Sequence, residues 1–206
     1  MSALKGLLVD YGGVLTTNVW DSFRAFCDAE GIDRERVKKL FREDPQALAL
    51  LRQLETGELT EDEFSAGFGP LLGIPRERHE GLVDRLFAGM EAEEPMLEAL
   101  RRARRAGLKT GMISNSWGRG RYDRSLFGEL FDGVVISGEV GLHKPQPQIF
   151  ELGAERVSLP PSACVFVDDL RENCDGAEAV GMVAVLHRDV EATLARLEEL
   201  LEVELR

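Results

Sequence analysis

The sequence predicts an α/β protein, a doubly wound parallel-sheet core with a small all-helical cap inserted after the first strand. Three observations carry this. Five short apolar runs, at 4–9, 108–113, 133–136, 163–167 and 182–186, are rich in Val, Leu and Ile. Near-continuous runs of that kind are expected of parallel strands covered on both faces. Helical patterns fill the spaces between the later runs, the alternation of a doubly wound sheet. The stretch 18–89 differs, because it holds only helical patterns.

The first run ends in "LLVDYGGVL": a single carboxylate, Asp10, is followed at once by Tyr11, Gly12 and Gly13. Four or five helices are then expected. "VWDSFRAFCDAEG" sets Trp20, Phe23 and Phe26 along one face, and "DRERVKKLFRED" does the same with Val37, Leu40 and Phe41. "LTEDEF" offers a capping box between Thr60 and Glu63, and "IPRERHEGLVDRLFAG" closes the set. The aromatic residues of this block are expected to pack together, with Trp20 the nearest to the point of insertion. Residues 18–89 are therefore expected to form the cap, and 1–17 with 90–206 the core.

"PMLEALRRARRAG" returns to the core, with Pro95 at a helix start and Gly107 after its end. "ISNSW" follows the second strand, "GEVGLHKPQPQIF" the third, and "FVDDLRENCDGAEAVGM" the fourth. The last helix starts at an N-cap, Asp189, and carries Leu194, Leu197 and Leu201 on one face.

The net charge of -12 argues against nucleic acid or an anionic membrane as partner. The basic cluster "RRARR" at 101–105 lies at a helix end, where cations offset the dipole. Three cysteines without CxxC spacing, Cys27, Cys164 and Cys174, suit a reducing cytoplasm and no structural zinc. No signal peptide or membrane span is expected, since Asp10 and Gly12 break the opening apolar run. Oligomeric state is not legible.

Ligands of open α/β sheets sit beyond the carboxyl ends of the strands. Four polar clusters fall there: Asp10; Ser114 with Asn115; Lys144; and Asp168 with Asp169. An Asp can attack phosphorus and form an aspartyl-phosphate, dividing one hard hydrolysis into two easier steps. Neighbouring carboxylates can hold Mg²⁺, which prefers oxygen ligands. A lysine adds a point charge for phosphate and nucleophile, and a hydroxyl with nearby amides can hold the transferred oxygens.

In these motifs, and over essentially its whole length, the chain resembles the haloacid dehalogenase superfamily, in the branch with a helical cap between the first two motifs. The core would then have that family's Rossmann-like fold. The resemblance makes Asp10 the nucleophile, Ser114 the second motif, Lys144 the third and Asp168–Asp169 the fourth. "GELTEDEF" and "KPQPQIF" look like the same branch. "DDLRENCDGAEAVGM" is similar to its phosphatase-like members, including the phosphatase domain of soluble epoxide hydrolases. Through the resemblance, Mg²⁺ is expected on Asp10, the Gly12 carbonyl and Asp169, with Asp168 and Asn173 in support. Lys144 is expected to be catalytic and, with Ser114 and Asn115, to bind substrate. The substrate implied is a small phosphorylated metabolite such as a sugar phosphate.

The chain departs from the family at Gly12. Phosphatases of the superfamily carry there an Asp that protonates the leaving alcohol and later activates water. Such help is worth roughly 10²–10⁴-fold. Three readings follow: a Mg²⁺-dependent phosphatase for good leaving groups, or one that borrows its acid; a non-catalytic binding protein; and a haloacid dehalogenase. Relatives with that last activity carry Tyr at this position and do without metal. His143, beside Lys144, is expected to be an exposed loop residue.

Overall fold

The computed structural model describes residues 4–118 and 122–206. Five parallel strands, β1 (Gly6–Val9), β2 (Lys109–Ser114), β3 (Gly133–Ile136), β4 (Cys164–Asp168) and β5 (Val183–Leu186), form one sheet in the order β3-β2-β1-β4-β5. All five fall within a residue or two of the apolar runs that predict them.

Side chains of a strand alternate between faces, and both faces here are covered. Leu7 and Val9 of β1 and Val165 and Val167 of β4 pack on one face with Met96 and Leu197. Leu8 and Phe166 turn to the other, against Ile149 and Phe150. The helices supplying the first layer are α6 (Glu94–Arg105) and α11 (Val190–Leu201); those supplying the second are α9 (Pro147–Arg156) and α10 (Arg171–Ala179). Fully burying each large apolar side chain contributes about 1.5–3 kcal/mol, which explains why the strands need no polar face. Two short helices, α7 (Phe127–Leu130) and α8 (Ser137–Val140), flank β3.

Between β1 and α6 the chain forms α1 (Val19–Glu30), α2 (Arg36–Glu43), α3 (Pro45–Glu55), α4 (Glu61–Leu72) and α5 (Leu82–Phe87). Their starts follow the capping chemistry. Asn18 accepts from Trp20 N, Asp44 from Gln46 N and Ala47 N, and Thr60 with Glu63 completes the capping box. These helices enclose a hydrophobic cluster of their own, in which Phe41 and Phe68 stack with ring centroids 4.7 Å apart. The two connections to the sheet pair with each other: Thr17 N donates to Glu91 O (2.9 Å) and Glu93 N to Leu15 O (2.9 Å).

Candidate active site at the carboxyl ends of the central strands

β1 lies at the switch point of the sheet, since the chain passes from it to β2 and β3 on one side and later to β4 and β5 on the other. Val9 of β1 stands opposite Val167 of β4. The next residues, Asp10 and Asp168, therefore leave the sheet side by side, and Asp10 N donates to Val167 O at 2.8 Å.

Lys144 lies between these two carboxylates. Its Nζ is 2.8 Å from Asp10 Oδ1 and 2.6 Å from Asp168 Oδ2, and its side chain is wholly buried. Burial alone would lower its pKa, but Asp10 and Asp168 outweigh it and hold the ammonium above the usual lysine range. The lysine backbone is gripped by the residue that follows β2. Lys144 N donates to Asn115 Oδ1 (2.8 Å), and Asn115 Nδ2 donates to Lys144 O (3.2 Å). Asn115 is thus engaged at both ends of its amide, with one N–H remaining for a ligand. The Lys144–Pro145 peptide is cis.

Asp168 is fully committed. Oδ1 accepts from Leu170 N (2.8 Å) and Asn173 Nδ2 (3.0 Å), while Oδ2 holds the lysine. Among the described residues, no other residue donates a hydrogen bond to the Asp169 carboxylate. Burial, then Asp168, pushes it up to about 6. Burial likewise holds Asp10 well above the ordinary carboxylate range, Lys144 opposing it and Asp168 and Asp169 adding to it. One lysine thus faces three carboxylates whose oxygens lie within 4.8 Å of one another. That set offers only oxygen ligands and an excess of negative charge, which suits a hard divalent cation such as Mg²⁺. Gly13 preserves the space. It adopts φ +76°, and a Cβ there would stand 2.9 Å from Asp169 Oδ2.

The predicted residues Asp10, Gly12, Ser114, Asn115, Lys144 and Asp169 all border one cavity of about 1200 Å³. Asp168 lies behind it, fully buried. Sequence reasoning missed several neighbours. Tyr122 donates its hydroxyl to Ser114 Oγ (3.0 Å), and burial, chiefly, pushes that phenol up to about 12. No local pattern marks it. His143 corrects an expectation: it is buried, not an exposed loop residue, and its Nδ1 meets Lys144 O at 2.7 Å. A carbonyl only accepts, so Nδ1 carries the hydrogen. Glu55, at the end of α3, also lines the cavity, and nothing in the sequence singles it out.

The chain matches the family model of the haloacid dehalogenase-like hydrolases over residues 4–181. It is 25% identical to bifunctional epoxide hydrolase 2 of Sus scrofa over 98% of this chain and 40% of that one. It therefore spans less than half the length of that relative. Sesquiterpene phosphatase astK of Aspergillus oryzae is 27% identical over 72% of this chain and 77% of its own. Among solved structures, an enzyme of the family from Bacteroides thetaiotaomicron, in complex with magnesium and inorganic phosphate, superposes with a TM-score of 0.66. The identity is 21%, covering 90% of this chain and 95% of that one.

Proposed function

The chain belongs to the haloacid dehalogenase-like hydrolases, and from that premise we propose that it is a Mg²⁺-dependent phosphatase working through an aspartyl-phosphate on Asp10. The observation that carries this is the pairing of Asp10 and Asp168 at adjacent strand ends by the buried Lys144, with Asp169 alongside. Asp10, the Gly12 carbonyl and Asp169 would hold the ion, with Asp168 and Asn173 supporting them from behind. Bound there, Mg²⁺ neutralises charge so that a phosphate dianion can approach a carboxylate. Asp10 attacks phosphorus, and the P–O bond to the organic group breaks with its electrons moving to the leaving oxygen. Water then attacks the phosphorus and the Asp10 carboxylate departs. Ser114 and the free Asn115 N–H orient the phosphoryl oxygens, and Lys144 screens the nucleophile from Asp168.

Residues 18–89 act as a cap in this reading, and the cavity beneath them bears on the substrate. Its walls include Val19, Trp20, Leu51, Met90 and Trp117. Two large apolar side chains among the described residues are exposed, Leu48 (42%) and Leu170 (40%), and both border this cavity, one from each side. Polar side chains, among them Thr16, Arg42, Arg52, Glu91 and Glu172, border the same cavity and could meet hydroxyls, so the apolar walls set a preference and not an exclusion. The apolar walls and the two exposed leucines favour an ester with an aryl or branched alkyl portion, the direction in which a relative named as a sesquiterpene phosphatase also points. The three unpaired, buried cysteines support a cytoplasmic setting.

The test is a panel of phosphate monoesters offered to the purified chain with Mg²⁺ or with a chelator. Turnover should require Mg²⁺ and vanish in Asp169→Ala, while Asp168→Ala weakens it less. Burying roughly 100 Å² more apolar surface favours an apolar ester over a sugar phosphate by about 2.5 kcal/mol, roughly 60-fold in kcat/KM. Undiminished turnover in chelator, or release of halide from a haloacid, would overturn the reading.

A further inference from the structure

We propose that Glu55, delivered from α3, is the residue that protonates the leaving oxygen and later deprotonates water, in place of the side chain that Gly12 lacks. This rests on the aspartyl-phosphate reading above.

Gly12 offers no acid: a Cβ built on it would press on Val19 Cγ2 at 3.3 Å, its one close contact among the described residues. Of the titratable groups bordering the cavity, which also include Tyr11, Glu91, Asp123 and Glu172, four are already engaged. Lys144 is tied to two carboxylates. Tyr122 gives its hydrogen to Ser114, and His143 gives its Nδ1 hydrogen to the Lys144 carbonyl. Asp169 belongs to the carboxylate cluster. The Glu55 carboxyl makes no hydrogen bond among the described residues, and it borders the same space as Asp10 and Lys144.

The fold anchors it there. Ser137, the first residue of α8, donates its hydroxyl to Glu55 O and accepts from Ser116 N at 2.7 Å. This ties the end of α3 to the loop after β2. Two residues on, Gly57 at φ +76° lies against Gly138, whose carbonyl oxygen a Cβ at position 57 would meet at 2.6 Å. Only glycine allows that approach.

The protonation state agrees. Burial pushes Glu55 up to about 8, against the opposing pull of Lys144 and Arg52 and with Glu172 adding to the rise. Its place at the carboxyl end of α3 adds to the preference for the neutral acid, because a negative charge is disfavoured there. At neutral pH the group therefore holds the proton that the first step needs.

The step balances. As Asp10 attacks, the P–O electrons pass to the leaving oxygen, which takes the Glu55 proton; the products are an alcohol, aspartyl-phosphate and a Glu55 carboxylate. Glu55 then accepts a proton from the attacking water. Phosphate leaves, and both side chains return to their starting states.

The experiment compares first turnovers of 4-nitrophenyl phosphate, whose leaving group needs no proton, and a primary alkyl phosphate, whose leaving group does. Both are measured with Mg²⁺ in the parent and in Glu55→Gln. In the variant the alkyl first turnover should fall roughly 10²–10⁴-fold and the aryl one less than about tenfold. The aryl substrate should then give a burst of about one nitrophenolate per chain, followed by a slow steady state and a phosphate retained on Asp10 by mass spectrometry. Because that burst requires a folded site, it separates lost chemistry from lost structure. In the parent, the alkyl first turnover should fall as pH rises through about 8, where the acid loses its proton; the aryl one should not. Equal losses for both substrates, or no loss for either, would overturn the assignment. Absence of Mg²⁺-dependent turnover of either ester by the parent would instead overturn the phosphatase reading, and this proposal with it.

Discussion

Asp10→Asn is expected to abolish hydrolysis, by roughly 10⁴–10⁶-fold, because a neutral amide cannot supply the attacking oxygen. The fold should survive. Asp10 Oδ1 accepts from Tyr11 N (2.6 Å) and faces Lys144 Nζ (2.8 Å), and an amide oxygen in the same place keeps both contacts. Removing one of three clustered carboxylates also relieves repulsion that now raises the pKa of Asp10. In the absence of metal, the variant's melting temperature should equal or exceed the parent's, and inorganic phosphate with Mg²⁺ should still stabilise it. Calorimetry beside a turnover assay decides the matter. Turnover within tenfold of the parent would make Asp10 structural.

Lys144→Met is expected to be both inactive and the most destabilising of these changes. Methionine approximates the shape of the lysine stem but leaves Asp10 and Asp168 facing each other, one of them wholly buried. Breaking a buried ion pair by removing one partner costs about 3–5 kcal/mol, roughly 6–20 °C in Tm for a chain of this size. The deficit should depend on pH. Without the ammonium, the Asp10 carboxyl sits still farther above the ordinary range, so the folded variant binds more protons than its unfolded chain. Its stability should therefore rise as pH falls from 7 toward 5, narrowing the gap to the parent. Urea unfolding at both pH values measures this. A loss below about 1 kcal/mol at pH 7 would mean that protonation or water already satisfies the two carboxylates.

The sheet was legible in the chain because burial on both faces leaves a local record. Leu7, Leu8 and Val9 must all be apolar when helices cover both sides, and such a run can only end where the strand meets the loop. Asp10, Ser114 and Asp168 stand at those ends, so their chemistry could be read without coordinates. Register and loop path leave no such record. That Asp10 and Asp168 emerge side by side follows from the pairing of β1 with β4, strands far apart in sequence. That Lys144 reaches both carboxylates depends on Asn115, just after β2, holding its backbone. His143 reads as a loop residue and is buried, because the Lys144 carbonyl gives its ring a partner. No sequence pattern singles out Glu55; the close approach of Gly57 to Gly138 and the folding of α3 set it at the cavity. By itself the sequence determined the strands, their terminal polar residues and the missing side chain at Gly12, since each depends on neighbours along the chain. Tertiary structure alone decided which charges meet and which carboxyls are desolvated. Those outcomes depend on desolvation and on distances between segments that local patterning does not encode.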